Sequence, residues 1–190
     1  MLPFKILPMK SFTLILILNC TFLFAEGQLN VIHVFVALCD NKNQGIVPVP
    51  AKIGNGQDPQ NNLYWGCAYG VKTYFKNQKD WQLMEVTRNP RKYILERIIF
   101  KNKTTNTFLI ADAYDGARIK ECTIDFLEAT SGSNKETITV NNLLIGIGCH
   151  ATLISYIGHN GLMDFDLEKH AVKKDTIKRE AIILACASKN

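Results

Sequence analysis

The chain has 190 residues, of which 47% are apolar and 21% charged, with 12 glycines and 6 prolines. That balance excludes a disordered, collagenous or coiled-coil chain, and the length suits one domain with one sizeable core. The formal charge is +5, falling to +3 once Lys5 and Lys10 of the leader below are set aside, too small a surplus to imply nucleic acid or an anionic membrane as partner.

Residues 1–25 read as an address. Lys5 and Lys10 form a basic start, Phe12 to Phe24 form an apolar stretch, and Ala25 is a small residue before Glu26. This pattern predicts a Sec-type signal peptide and a periplasmic or extracellular product. The apolar run is shorter than the roughly 20 residues a spanning helix needs, and no later segment qualifies, so the mature chain is expected to have no membrane span. Cys20 lies inside the leader, where a lipoprotein reading would use it although Asn19 is a poor small residue before it; cleavage after Ala25 leaves Cys39, Cys67, Cys122, Cys149 and Cys186. Five is an odd number, so at least one thiol stays free in an oxidising compartment. The spacings hold no CxxC and no zinc pattern, and no cofactor or metal is implied.

Val31 to Leu38 is a β-branched apolar run and predicts a strand buried on both faces. His33 within it reads as a satisfied core histidine. Residues 40–62, with three glycines between 45 and 56 and three prolines, predict a long loop of the kind that often carries function. Leu63 to Phe75 has helical apolar spacing weakened by Gly66 and Gly70. Tyr93–Phe100 and Thr107–Tyr114 predict two strands joined by a polar turn. Ala117 to Ala129 predicts an amphipathic helix ended by the Ser-Gly-Ser-Asn that follows. Thr137 to Ile147 is ambiguous, a strand and then an irregular segment or short helix. Ala151–Gly158 predicts a buried strand, residues 165–180 a charged stretch with room for a short helix, and Ala181–Ala185 a last buried strand. Strands alternating with helical stretches predict an α/β fold with a mainly parallel sheet, in one domain over 26–190.

In such sheets ligands bind beyond the carboxyl ends of the strands. Cys39 and Asp40 follow the first strand, Asp112, Asp115 and Gly116 the hairpin strand, His159-Asn160-Gly161 the next buried run, and Cys186 the last. A histidine and a cysteine after consecutive strands lie close together if those strands are neighbours. An imidazole that accepts the thiol proton turns a poor nucleophile into a good one, and backbone N–H groups nearby can bind the oxyanion of an acyl-transfer intermediate. Plainer readings stand beside this: a free cysteine is also an ordinary small buried hydrophobe, and Asp164 and Asp166 can orient His159, bind a cation or simply line a solvated loop.

The blocks Leu153–Gly161 (LISYIGHNG) and Ala181–Cys186 (AIILAC) resemble the caspase-like cysteine peptidases, the superfamily of caspases, metacaspases, gingipains, legumains and separase. The resemblance implies a three-layer α/β/α sandwich with the first strand beside the His-bearing strand and that strand beside the Cys-bearing one. It implies His159 as catalytic histidine, Cys186 as nucleophile, the Gly161 N–H as oxyanion donor, Asp40 as a substrate-binding specificity residue, and a peptide or protein substrate. Two features depart from the family pattern. Asn160 intervenes where the family has His-Gly directly, and the chain stops soon after Cys186, where such domains normally continue, so the resemblance implies a domain incomplete at its C-terminus. In that strand order Cys39 and Cys186 stand two strands apart, about 9.6 Å at the usual spacing, beyond the roughly 7 Å a disulfide spans. Two other functions remain open: a non-catalytic secreted α/β domain, and an unrelated α/β enzyme with its site in the 40–62 loop beside Asp112 and Asp115.

Overall fold

The computed structural model describes residues 29–168 and 171–186. The expected signal peptide at 1–25 and His170 lie outside the described residues. The elements in chain order are β1 (Asn30–Ala37), α1 (Val71–Asn77), β2 (Trp81–Arg91), β3 (Ile94–Asn102), β4 (Thr107–Tyr114), α2 (Ile119–Ser131), β5 (Lys135–Val140), β6 (Leu143–Gly148), β7 (Leu153–Ile157) and β8 (Glu180–Leu184). One mixed six-stranded sheet runs in the order β2-β3-β4-β1-β7-β8, and β5 and β6 form a separate hairpin. β4, β1, β7 and β8 are parallel, whereas β2 and β3 are antiparallel to their neighbours. This is an α/β fold with a mainly parallel sheet. Among the described residues no helix is long and apolar enough to cross a membrane.

β1 sits in the middle because its sequence tolerates burial on both faces. Phe35 and Ala37 point into a cluster with Phe126 of α2 and Ile145 and Ile147 of the hairpin. Val34, Val36 and Leu38 point the other way, against Trp65 and Val71. The apolar period of α2 brings Ile119, Cys122, Phe126 and Ala129 onto the sheet, and Gly132, at φ 92°, closes the helix in the left-handed region.

Four expectations change. The helix expected over 63–75 begins only at Val71, because the Asn62 carbonyl accepts the amides of Trp65, Gly66 and Cys67 and winds that stretch into turns. The ambiguous 137–147 stretch is a two-stranded hairpin, turned by Asn141 and Asn142 at φ 48° and 66°, the paired left-handed conformation a tight hairpin needs. No helix forms in 165–168 or 171–180; Arg179 instead ties that stretch to Asp175 and to the Cys149 carbonyl. The last strand is present but not buried. β8 is the sheet edge, pairs only with β7, and leaves Ile182, Ile183 and Leu184 44%, 46% and 58% exposed. Its apolar residues match a buried strand, but no element of the described residues packs over either face. β2, to which the sequence assigns no element, is the opposite edge and lacks the alternation that marks a half-buried strand.

The sheet is tied to its α2 face by ions. Asp112 of β4 is 1% exposed and accepts two bonds from Arg97 of β3, at 2.6 and 2.8 Å. His33 of β1 lies 3.1 Å away on the other side and takes the Gly148 amide on Nδ1, so Nε2 carries the proton it donates to Asp112. Arg97 also reaches Glu136 of β5; Glu136 and Asp125 of α2 share Arg91. Burial acts to raise the Asp112 pKa, but the bonds from Arg97 and His33 outweigh it and hold the carboxyl down at about 2.

Asp112→Ala leaves Arg97 and His33 buried without their partner and should cost about 3–5 kcal/mol in urea unfolding. A depressed carboxylate stabilises the fold above its unfolded pKa of about 3.9. Its contribution of about 2–3 kcal/mol should therefore fade as pH falls from about 4 toward about 2, and the slope should be absent in the Asp112→Ala protein.

Candidate active site at the carboxyl edge of the sheet

Because β1, β4, β7 and β8 are parallel, the residues after each meet at one edge of the sheet. Ile157 of β7 pairs with Leu184 of β8, and the Gly158 amide continues the ladder to the Leu184 carbonyl. His159 and Cys186 both stand two residues beyond that last pair, on neighbouring strands. Neighbouring strands are spaced at about 4.8 Å; His159 and Cys186 lie just beyond the last pair of that ladder, and their side chains share no hydrogen bond. Cys39 follows β1, one strand further on, so Cys39 and Cys186 are two strands apart, as expected; both are free thiols.

His159 is 5% exposed, and its carbonyl accepts the Tyr156 hydroxyl at 2.7 Å. Its Nε2 lies 2.9 Å from Asp164 Oδ2, close enough for an ion pair but off the line of a hydrogen bond. Asp164 returns to the histidine through a tight 3-10 turn. The Asn160 side chain caps this turn by accepting the Leu162 amide, and the Gly161 carbonyl accepts from Asp164 and Phe165. Gly161 is buried in the turn, where a Cβ would lie 2.7 Å from the Phe165 ring. Cys186 is exposed.

The 38–70 segment folds over this edge and is held by side chains rather than by regular structure. Asn62 is fully buried; its Oδ1 accepts the Cys39 and Tyr64 amides, and its Nδ2 donates to the Cys39 and Asn55 carbonyls. Tyr64 is thereby brought to the site: burial, then the neighbouring Cys39 and Cys186 thiols, raise its pKa. Gln44 bridges the Leu38 and Gly116 carbonyls, which stitches the loop to the end of β4. Neither Asn62 nor Tyr64 stands out in the sequence; the one signal is an Asn-Asn-Leu-Tyr-Trp run inside a long loop.

Asp40 is 1% exposed. One oxygen accepts the Lys42 and Asn43 amides, and the other the Asn43 and Gln57 side chains. Burial acts to raise its pKa, and these bonds prevail to lower it. Its carboxylate organises the loop. Asp115 accepts from Gln57 and from the Ala117 amide at the same edge, whereas Asp112 lies inside the sheet with Arg97 and His33, apart from the loop. Among the described residues no group of three or more His, Cys, Asp and Glu is gathered to hold a metal.

Compared with protein-family models, curated proteins and solved structures, the chain finds no match.

The thiols should separate by reactivity. Burial raises the Cys122 pKa well above its usual value, with Asp125 and Asp112 adding to it, and burial followed by Asp40 raises that of Cys39. Brief iodoacetamide treatment of the folded protein should carboxamidomethylate Cys186 first and leave Cys39 and Cys122 unmodified until denaturant is added, as read by peptide mass spectrometry.

Proposed function

We propose that the chain is an exported cysteine peptidase of caspase-like type, with its sheet as the middle layer of an α/β/α sandwich. The observation that carries the reading is the in-register pairing of β8 with β7 beside β1, which sets Cys186 and His159 at equal offsets beyond adjacent strands. α1 and α2 pack in the apolar clusters on opposite faces of the sheet, in keeping with such a sandwich.

In this reading His159 takes the proton from the Cys186 thiol, and the thiolate attacks the carbonyl carbon of the scissile peptide bond. The oxyanion that forms is met by backbone N–H groups, for which Gly161 and Cys186 itself are the candidates. His159 returns its proton to the leaving amine as the C–N bond breaks. Water then hydrolyses the thioester and regenerates the thiol. Asp40 lies in the loop beside the site with its carboxylate buried on the loop's own donors, so it touches no substrate, and only its negative charge favours a basic residue before the scissile bond.

A panel of fluorogenic peptide amides tests this. The native protein should release the fluorophore best after Lys or Arg, and Cys186→Ala or His159→Ala should lower the rate by 100-fold or more, the scale on which general base catalysis acts. No hydrolysis of any substrate, together with Cys186 alkylation indifferent to His159→Ala, would sink the reading; cleavage after acidic residues alone would remove Asp40 from it. Export predicts that the secreted product, sequenced from its N-terminus, begins at Glu26.

A further inference from the structure

Among the described residues, Asp164 is the charged side chain set against the buried imidazole. Its Oδ2 lies 2.9 Å from His159 Nε2, and no hydrogen-bond partner otherwise reaches that nitrogen. A buried ring N–H without a partner is costly, and contacts in unliganded catalytic sites are often out of line until substrate binds. The same oxygen accepts the Gly45 amide at 3.0 Å, from a residue 119 positions away. A Cβ on Gly45 would run into the Asp164 carboxylate, so any larger residue there has to displace that side chain. The carboxylate thus sits between two segments: the 159–165 turn, whose cap at Asn160 and close packing at Gly161 bring it back to the histidine, and the loop after β1, which fixes it from outside.

We propose that Asp164 is the positioning carboxylate of His159, and that the Gly45 amide latches it in place so that the loop after β1 governs the histidine. Asp164 touches no reacting atom. Its negative charge at 2.9 Å favours the tautomer with the proton on Nε2 and so leaves Nδ1 as the basic ring nitrogen. The proposal rests on the Cys186–His159 reading for its catalytic consequence, but the contact between Asp164 and His159 is testable without it.

Two variants and two readouts test it. Asp164→Leu keeps a similar shape and removes the acceptor; Gly45→Ala leaves the carboxylate present but pushes it aside. The imidazole ¹⁵N spectrum of the native protein should show His159 protonated at Nε2. Both variants should mix the two tautomers, and both should slow Cys186 alkylation at neutral pH by about tenfold, the effect of one pKa unit. Thermal unfolding confirms that each variant is folded, and Gly45→Ala, in an exposed loop, serves if Asp164→Leu does not fold. An unchanged His159 spectrum in the folded variant would overturn the proposal. Loss of the Nε2 signature, with Cys186 alkylation unaffected even by His159→Ala, would uphold the positioning contact and overturn the peptidase reading instead.

Discussion

The carboxylate of Asp112 is the point on which the packing depends. It lies inside the sheet, where an isolated charge is prohibitively unfavourable, and it is tolerated because Arg97 meets both of its oxygens while His33 donates from the opposite side. Each partner is itself committed elsewhere. His33 takes the amide at the end of β6, and Arg97 continues to Glu136 on β5, which joins Arg91 and through it α2. One chain of charges therefore sets the register of β3, β4 and β1 and the position of the hairpin and helix laid over them. An apolar core accepts many arrangements of similar volume. A buried ion set with every donor assigned accepts far fewer, because any shift strands a charge.

The site inherits its geometry from that sheet. Parallel strands deliver their carboxyl ends to one edge, and β1, β7 and β8 in succession bring Cys39, His159 and Cys186 there without any sequence proximity between them. The 38–70 segment then closes over the edge on polar side chains: Asn62 clamps the backbone of Cys39 and Tyr64, Gln44 joins the ends of β1 and β4, and Asp164 joins Gly45 to the histidine turn. A loop held by a few side-chain bonds yields more readily than a strand.

Much of this was legible from residue patterns. β1, β3, β4, α2 and β7 announce themselves because their apolar period matches their burial, and His33 reads as a core histidine because it interrupts a run of β-branched residues. The hairpin did not, since its strands mix polar and apolar residues on a half-exposed layer and its turn depends on two asparagines adopting positive φ. The helix that periodicity predicts over 63–75 starts only at Val71, because periodicity does not reveal that the Asn62 carbonyl captures three amides. Of the site, His159 and Cys186 stood out as residues after apolar runs. Asn62, Tyr64 and Gly45 were invisible, because each acts on a partner distant in sequence or through the lack of a side chain.

By itself, then, the sequence determined the α/β class, the central strand and which residues end the strands, because periodicity and chain connectivity are local properties. It did not determine the burial of β8: Ile182, Ile183 and Leu184 are apolar enough for a core, yet their exposure depends on what lies beside them. Only the tertiary structure decided that Asp112 belongs to the core network rather than to the site, that Asp40 belongs to the loop, and that Asp164 faces His159. A carboxylate has the same chemistry in all three places, and what distinguishes them is which donors the fold brings within about 3 Å.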